Sequence, residues 1–282
     1  MMKRLLMILA ALLLTVSSAW GESLPLDGPA PYAPVESALS ADGMSYDDGT
    51  LSIRAEQSVY LDTNITMVYV TCQDASQLRT ALSSKYPAKT TRPVDVMAQA
   101  NNAVLAINGD YFAYHNKGIV LRSGVLLRNQ PRKERDTLII DAKGDFTILT
   151  DTSAKTFAPY LDTAREAFCF GPGLVVDGVA QSFKANEKVS CGANTKAQRL
   201  AICQMDTLSY LIVATEGPEQ VKGAGLTIPE FTELLMSTGC RNAYNLDGGS
   251  SVTVLLCGKR LNAPDTKNRS VSDIIYFATL CR

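Results

Sequence analysis

The amino-acid sequence predicts an α+β fold built mainly from antiparallel β-sheet. Short β-branched and apolar runs follow one another along most of the chain, and tight turn signals such as Ser123-Gly124 and Asp177-Gly178 link several of them. Strands joined by such short links pair antiparallel. Helical patterns are few and interspersed among the strands, which is typical of the α+β class.

The strand signals are spread over the whole chain from about residue 49 onward. Two segments, GIVLRSGVLL and GLVVDGVAQ, read as hairpins with a tight central turn. The predicted strands, in chain order, are Ile65–Thr71, Ala103–Ile107, Gly118–Arg122, Thr137–Asp141, Phe146–Thr150, Arg199–Gln204, Ser209–Ala214, Ser251–Leu256 and Ile274–Ala278.

One helix carries a clear start and stop. Thr227 to Glu230 reads as a capping box with proline in the first turn, and Gly239 closes the helix. Apolar residues between them, among them Phe231 and Leu235, share one face. Two further segments, Gln77–Ser84 and Pro93–Asn101, carry weaker helical patterns.

The first residues predict export. Lys3 and Arg4 precede an apolar run, and small residues follow at Ala19-Trp20-Gly21, which together form a signal-peptide pattern over residues 1–21. The run is short for a membrane span, although an uncleaved anchor is the alternative. We therefore expect a secreted or extracytoplasmic protein without a stable membrane span. Residues 22–48, rich in Pro, Ala, Ser and Gly, are expected to form a flexible lead-in to a single domain over residues 49–282.

Composition narrows the class of protein. The hydrophobic fraction of 46% is enough to fill a substantial core. The net charge is −1 without a basic block, which argues against a nucleic-acid partner. Seven cysteines in an exported chain leave some disulfide pairing open, with buried free thiols as the alternative. The single histidine, His115, is expected to lie exposed in a loop.

Polar clusters stand where apolar strands end or begin. Such positions can converge on one rim of a sheet, where a rigid scaffold holds them beside solvent. Aspartates there can supply an acid, a base or a nucleophile, arginines can grip a phosphate, and glycines can open backbone N–H groups to a ligand. The clustered residues are Asn108, Gly109, Asp110, Arg199, Asn245, Asp247, Gly248, Gly249, Ser250, Arg269, Ser272 and Asp273.

From about residue 95 onward, a series of motifs in fixed order resembles the phosphodiester glycosidase family. The motifs are AINGDYF, GIVLRSGVLL, FGPGLVVDG, QRLAI, NLDGGSSVTVLL and RSVSDIIYF. The resemblance implies a hydrolase that cuts a sugar-1-phosphodiester, such as one of N-acetylglucosamine, into sugar and phosphomonoester. It also implies a bacterial relative acting on cell-envelope or exopolysaccharide material, with a carbohydrate phosphate as its partner.

The resemblance also suggests roles. The residues that match motif positions of the family are Asn108, Arg199, Asp247, Gly248, Gly249, Arg269, Ser272 and Asp273. We assign Asp247 and Asp273 as catalytic carboxylates and the other clustered residues as substrate-binding residues. The family's first motif often reads NGGFF, so Asp110 and Tyr111 are a departure. No cofactor is implied, and the oligomeric state is left open.

Two alternatives remain at this point. Asp110, Asp247 and Asp273 could instead bind Ca²⁺ or Mg²⁺ through oxygen ligands, as in a metal-dependent phosphodiesterase that cuts the P–O bond. A non-catalytic module that binds an envelope polymer is the other, with Tyr111, Phe112 and Tyr114 as contact residues.

Overall fold

Strands and tight turns dominate the chain, and every strand pair is antiparallel. The computed structural model describes residues 23–183, 192–263 and 269–282. In that part the strands are β1 (Ser45–Asp47), β2 (Leu51–Tyr60), β3 (Thr63–Cys72), β4 (Leu78–Leu82), β5 (Arg92–Pro93), β6 (Leu105–Asn108), β7 (Gly118–Arg122), β8 (Val125–Gln130), β9 (Thr137–Asp141), β10 (Phe146–Leu149), β11 (Ala164–Phe168), β12 (Gly173–Val176), β13 (Val179–Ala180), β14 (Leu200–Asp206), β15 (Ser209–Thr215), β16 (Asn242–Asn245), β17 (Val254–Leu256), β18 (Lys259–Arg260), β19 (Ser270–Val271) and β20 (Asp273–Phe277).

Three sheets surround the main core. The largest has eight strands in the order β1-β2-β3-β15-β14-β16-β12-β13. Two five-stranded sheets have the orders β10-β9-β11-β7-β8 and β18-β17-β6-β20-β4, and β19 pairs with β5 separately. Buried side chains from all three sheets, such as Ile202, Ile140 and Ile275, form one apolar cluster. The predicted α+β class with mainly antiparallel sheet is confirmed.

Short helices pack against each of the three large sheets. They are α1 (Val94–Ala100), α2 (Ala154–Phe157) and α3 (Ile228–Ser237). Phe231 and Leu235 of α3 pack against the large sheet, and Met97 of α1 packs against the sheet that contains β6. At Thr227 the predicted capping box is present, because its hydroxyl accepts from the Glu230 N–H and its own N–H donates to the Glu230 carboxylate.

The predicted helix over Gln77–Ser84 is wrong. Residues 75–77 form a 3-10 turn and the chain then continues as β4, paired with β20. The polar residues of this segment find buried partners in the fold. Arg79 donates to the Tyr276 hydroxyl at 2.9 Å, and Thr80 donates to Glu166 at 2.7 Å. These partners are distant in sequence, so the local pattern could not show them.

The segment before residue 49 is packed rather than loose. Tyr46 of β1 is fully buried, and Leu24 and Ala30 are buried against α1 and β20. The guanidinium of Arg79 also donates to the carbonyls of Pro25 and Gly28, each at 2.8 Å. A flexible lead-in is therefore not what the structure has from residue 23 onward. The predicted signal peptide lies outside the described residues.

Two further predictions can be compared with the described residues. Six of the seven cysteines are described, all as free thiols, with four of them buried, while Cys191 lies outside. No α-helix in the described ranges has the length and apolar character needed to cross a membrane. Seven of the nine predicted strands have at least one end that differs, and the largest difference is at β17: Gly249–Ser251 form a 3-10 turn, so this strand begins at Val254 rather than Ser251.

Candidate active site

The clustered polar residues meet where the three sheets join. Asn108 ends β6, Asp273 begins β20 beside it, and the loop after β16 leads to Asp247. Backbone bonds connect these segments, because the Gly109 N–H donates to the Asp273 carbonyl at 3.0 Å and the Asp247 N–H donates to the Gly109 carbonyl at 3.3 Å. The strand-end positions that the sequence singles out therefore lie side by side.

Asn108 fixes the loop that carries Asp247. Its side-chain N–H donates to the Asp247 carbonyl at 2.8 Å, and its side-chain oxygen accepts from the Thr253 N–H at 3.0 Å. The side chain is fully buried. Asn108 thus ties both ends of the NLDGGSS loop to the end of β6, and it supports the site from beneath.

Asp273 forms a buried ion pair with Arg122. Nε and Nη2 of Arg122 donate to Oδ2 of Asp273 at 2.8 and 2.6 Å, and both side chains are almost completely buried. Burial is the main cause that raises the pKa of Asp273, to about 7; the charge of Arg122 opposes the rise, and that of Asp110 adds to it. Because the two hydrogen bonds are buried, Asp273 holds Arg122 against the beginning of β20.

Asp110 lies between these groups and a neighbouring loop. Its carboxylate accepts from the N–H groups of Tyr111 at 2.6 Å and Cys169 at 2.8 Å, and its side chain is 2% exposed. Gly109 is required by close packing, since a β-carbon there would stand 2.7 Å from Oδ1 of Asp273. The NGD motif therefore places a second carboxylate close to Asp273 without space for a side chain between them.

Asp247 is the member of the three carboxylates that reaches solvent. It is partly exposed, whereas Asp110 and Asp273 are buried. Burial of part of its surface is the main cause that raises the pKa of Asp247, to about 6, while the Ser251 hydroxyl and the Arg269 charge favour its ionised form. Arg269 is itself exposed and donates to the Ser250 hydroxyl at 3.0 Å. A carboxylate, a hydroxyl and an arginine therefore share an open rim.

The two glycines after Asp247 serve the packing of the loop. The Gly249 N–H donates to the Gln198 carbonyl at 2.9 Å, and a β-carbon at Gly248 would lie 2.7 Å from that same oxygen. Gly249 also adopts a φ of +57°, which glycine tolerates best. The sequence analysis expected these glycines to offer N–H groups to a ligand; the Gly249 N–H is already bonded within the protein.

Three expected binding residues have internal partners. Arg199 is buried, and its guanidinium donates to the carbonyls of Leu226 at 3.0 Å and Thr195 at 2.7 Å. Asn245 donates to the Gly171 carbonyl at 2.8 Å. The hydroxyl of Ser272 accepts from the Ala113 N–H at 3.2 Å. These side chains hold loops around the site, and their roles toward a substrate remain predictions.

Arg122 is a site residue that was not predicted from the sequence. Arg122 ends the apolar run of β7 just as Arg199 precedes that of β14, so the same strand-end rule points to both. Its guanidinium also lies 4.0 Å from the centre of the Phe168 ring and donates to the Ala167 carbonyl. The sheet that contains β7 thereby contributes the cation of the buried ion pair.

Two features of this region remain, the surroundings of His115 and the capacity to bind a metal ion. His115 is partly buried rather than exposed, because Tyr111 packs edge-on against its ring with the centroids 4.5 Å apart. Within the described ranges no three His, Cys, Asp or Glu side chains are grouped to hold a metal ion. A role for Ca²⁺ or Mg²⁺ has not been tested and remains a prediction.

Comparison with known proteins identifies the family. A family model described as "Phosphodiester glycosidase" matches residues 101–278. The chain belongs to the phosphodiester glycosidase family. Every side chain of the rim and of the buried pair lies within the matched range, as does each motif quoted above from AINGDYF onward.

One relative in the comparison is a bacterial prophage protein. The SPbeta prophage-derived uncharacterized protein YomE of Bacillus subtilis (strain 168) is 26% identical over 203 residues, which are 70% of this chain. The matched part is 31% of YomE, so the chain spans about a third of that relative's length.

Two solved structures have a similar fold. One is the zebrafish N-acetylglucosamine-1-phosphodiester alpha-N-acetylglucosaminidase catalytic domain auto-inhibited by pro-peptide, with a TM-score of 0.65 and 16% identity, covering 88% of this chain and 87% of that one. The other is a hypothetical protein from Synechocystis, with a TM-score of 0.63 and 18% identity, covering 80% of this chain and 62% of that one. At these identities the likeness describes the fold of the phosphodiester glycosidase domain.

Proposed function

We propose that the protein hydrolyses the anomeric C–O bond of a sugar-1-phosphodiester and releases the sugar and a phosphomonoester. A diester of N-acetylglucosamine 1-phosphate is the first substrate to test. The observation that carries the proposal is the open rim of Asp247, Ser250 and Arg269 above two buried carboxylates. A partly exposed carboxylate close to an exposed guanidinium, in a member of the phosphodiester glycosidase family, supports these residues as the reactive carboxylate and the phosphate-binding cation.

The leaving group decides what the site must supply. A phosphomonoester has a second pKa near 6, so it departs as an anion at neutral pH and needs little protonation. The site must instead stabilise negative charge as it develops, which suits a guanidinium. Arg269 is exposed and close enough to Asp247 to favour that residue's ionised form. We assign it to the departing phosphate.

Asp247 acts at the sugar carbon. The oxocarbenium-like transition state of glycoside cleavage requires a nearby carboxylate, which either activates water or attacks the carbon. Both actions require the ionised form, so the pKa of about 6 allows Asp247 to work at neutral pH. Asp273 is a positioning residue in this proposal, because its carboxylate is buried against Arg122, and its backbone carbonyl is linked through Gly109 to the backbone of Asp247.

The decisive experiment follows the cleaved bond. The purified protein is incubated with UDP-N-acetylglucosamine, or a simpler N-acetylglucosamine 1-phosphodiester, in water enriched in ¹⁸O. Label in the sugar supports C–O cleavage, whereas label in the phosphate means P–O cleavage and overturns the proposal. Asp247→Asn should lower turnover by about 10²-fold or more. Asp177→Asn, an exposed carboxylate in the β12–β13 turn, is the matched control and should leave turnover unchanged.

We also propose that the enzyme acts outside the cytoplasm, on a phosphodiester of cell-envelope or exopolysaccharide material. The signal-peptide pattern of residues 1–21 supports this location.

A further inference from the structure

A cluster of cations lies beside the candidate active site and has no role in the chemistry described so far. It comprises Lys89, Lys117, Arg128, Arg132 and Arg135, with His115 among them. We call this cluster the basic pocket. The whole chain has a net charge of only −1, so such a local excess of positive charge is a distinct feature of this surface.

Two adjoining cavities form the basic pocket. The larger has a volume of about 190 Å³ and is lined by Lys89, His115 and Arg128 together with Tyr86 and Phe112. The smaller, of about 10 Å³, has room for about one water molecule. Its charged lining residues are His115, Lys117, Arg128, Arg132, Arg135 and Asp110. His115, Arg128 and Phe112 are common to both linings.

Arg128 is built into the floor of the pocket with one donor group to spare. It is only 9% exposed, and its Nε donates to the Gly118 carbonyl at 3.1 Å while Nη1 donates to the carbonyls of Phe112 and His115 at 3.3 and 2.5 Å. Nη2 is buried and has no hydrogen-bond partner in the described part of the chain. Leaving such a charged donor unpaired is costly, which points to a ligand that accepts from it.

His115 repeats the pattern on the same wall. Its Nε2 is buried and also lacks a partner among the described residues. Burial is the main cause that lowers the pKa of His115, and the charges of Arg132, Arg135 and Arg128 lower it further, while the Asp110 carboxylate opposes them. The imidazole is therefore surrounded by positive charge, and an anion bound in the pocket would reverse this effect.

We propose that the basic pocket is a second phosphate site, distinct from the rim where Arg269 meets the departing phosphate, and that it binds a phosphate group of the sugar-1-phosphodiester or the phosphomonoester after its release. This inference rests on the proposed function and adds a phosphate subsite to it. The larger cavity has room for an oxyanion, which would lie against the side chains of Lys89, His115 and Arg128 that line it.

The location fits such a subsite. The guanidinium of Arg122, which holds Asp273, lies 5.7 Å from the centre of the Phe112 ring, and Phe112 lines both cavities. Asp110 lines the smaller cavity and precedes Phe112 by two residues in the chain. The pocket therefore touches one buried carboxylate of the site, Asp110, and Phe112 separates it from the ion pair of Arg122 and Asp273.

Because His115 is the single histidine of the chain, its imidazole is a specific reporter for the pocket. The pKa of His115 is followed by NMR of the ¹⁵N-labelled full-length protein, with and without inorganic phosphate. Bound phosphate should raise that pKa saturably, since an anion stabilises the imidazolium. Acetate at equal ionic strength is the control anion and should have little effect.

Charge removal tests the same pocket independently. The variant Lys89→Gln removes a cation that lines the larger cavity and should weaken phosphate binding by about tenfold or more, as expected for loss of a charged partner. Lys143→Gln with Arg241→Gln removes two exposed charges elsewhere and should leave the affinity unchanged.

One more measurement distinguishes the substrate from the product as the source of the bound phosphate. It also tests the pocket separately from the proposed function. UDP-N-acetylglucosamine is added to Asp247→Asn, the variant with strongly reduced turnover. A rise in the His115 pKa on this addition assigns the pocket to the phosphate of the substrate. A rise with inorganic phosphate alone assigns the pocket to the phosphate of the product. Phosphate binding without hydrolysis of any sugar-1-phosphodiester would refute the proposed function and leave the pocket standing. Hydrolysis with a His115 pKa that neither ligand changes would refute the pocket.

Discussion

A methyl group added at Gly109 should disrupt the centre of the site. The β-carbon of Gly109→Ala would stand 2.7 Å from Oδ1 and 2.9 Å from the carboxyl carbon of Asp273. Asp273 cannot swing away freely, because Arg122 holds its other oxygen with two hydrogen bonds of 2.6 and 2.8 Å. Either these bonds break or β6 and β20 move apart.

The expected cost follows from this geometry. Overpacking a buried position costs about 1–3 kcal/mol, and the upper half of that range applies because the carboxylate is held in place. The backbone of Gly109 lies outside the left-handed region, so alanine adds no φ strain there and recovers roughly 0.4–1 kcal/mol by restricting the unfolded chain. We expect the free energy of unfolding to fall by about 2 kcal/mol and Tm to fall by roughly 4–8 °C.

The assay is urea and thermal unfolding, monitored by far-UV circular dichroism, in a double-mutant cycle with Asp273→Ala. Asp273→Ala removes the three atoms nearest to the added methyl group, so in that background Gly109→Ala should cost much less stability. An equal loss of stability in both backgrounds would refute the steric argument, since the cost would then come from the backbone of Gly109 alone.

Two further predictions concern pH and processing. Since Asp247 must be ionised, kcat/KM should rise with pH through about 6. Arg269→Gln should move this midpoint upward, because it removes a charge that lowers the pKa of Asp247. An unchanged midpoint in the pH–rate profile of Arg269→Gln would contradict the role of Arg269. Exported protein should begin near Glu22, and N-terminal sequencing that finds Met1 retained would favour an anchor instead.

Much of the fold could be predicted because its signals are local. Gly118–Arg122 and Thr137–Asp141 form strands with the predicted ends, and the capping box at Thr227 is formed by neighbouring residues. The segment Leu78–Leu82 could not be predicted in this way. Its polar side chains are satisfied by groups far away in sequence, so only the assembled fold makes it a strand.

The site shows the same division. Strand ends correctly directed attention to Asn108, Asp247 and Asp273, because strand termini of neighbouring segments meet at a sheet edge. Which residue reaches solvent depends on packing, so the burial of Asp273 and the engagement of Arg199 could not be inferred from residue type. The orphaned donors of Arg128 and His115 appear only once their neighbours are placed.

The position of β20 between β6 and β4 has a consequence for how the protein folds. This strand is the last in chain order among those described, yet it pairs centrally, with Ile275 opposite Ile107 and Thr80. Bringing together segments so distant along the chain carries a large loop-closure entropy and slows folding. Asn108 and Asp273 become neighbours only in that closing step. We therefore expect ligand binding to be gained during refolding together with the slowest phase, rather than with the early formation of local hairpins.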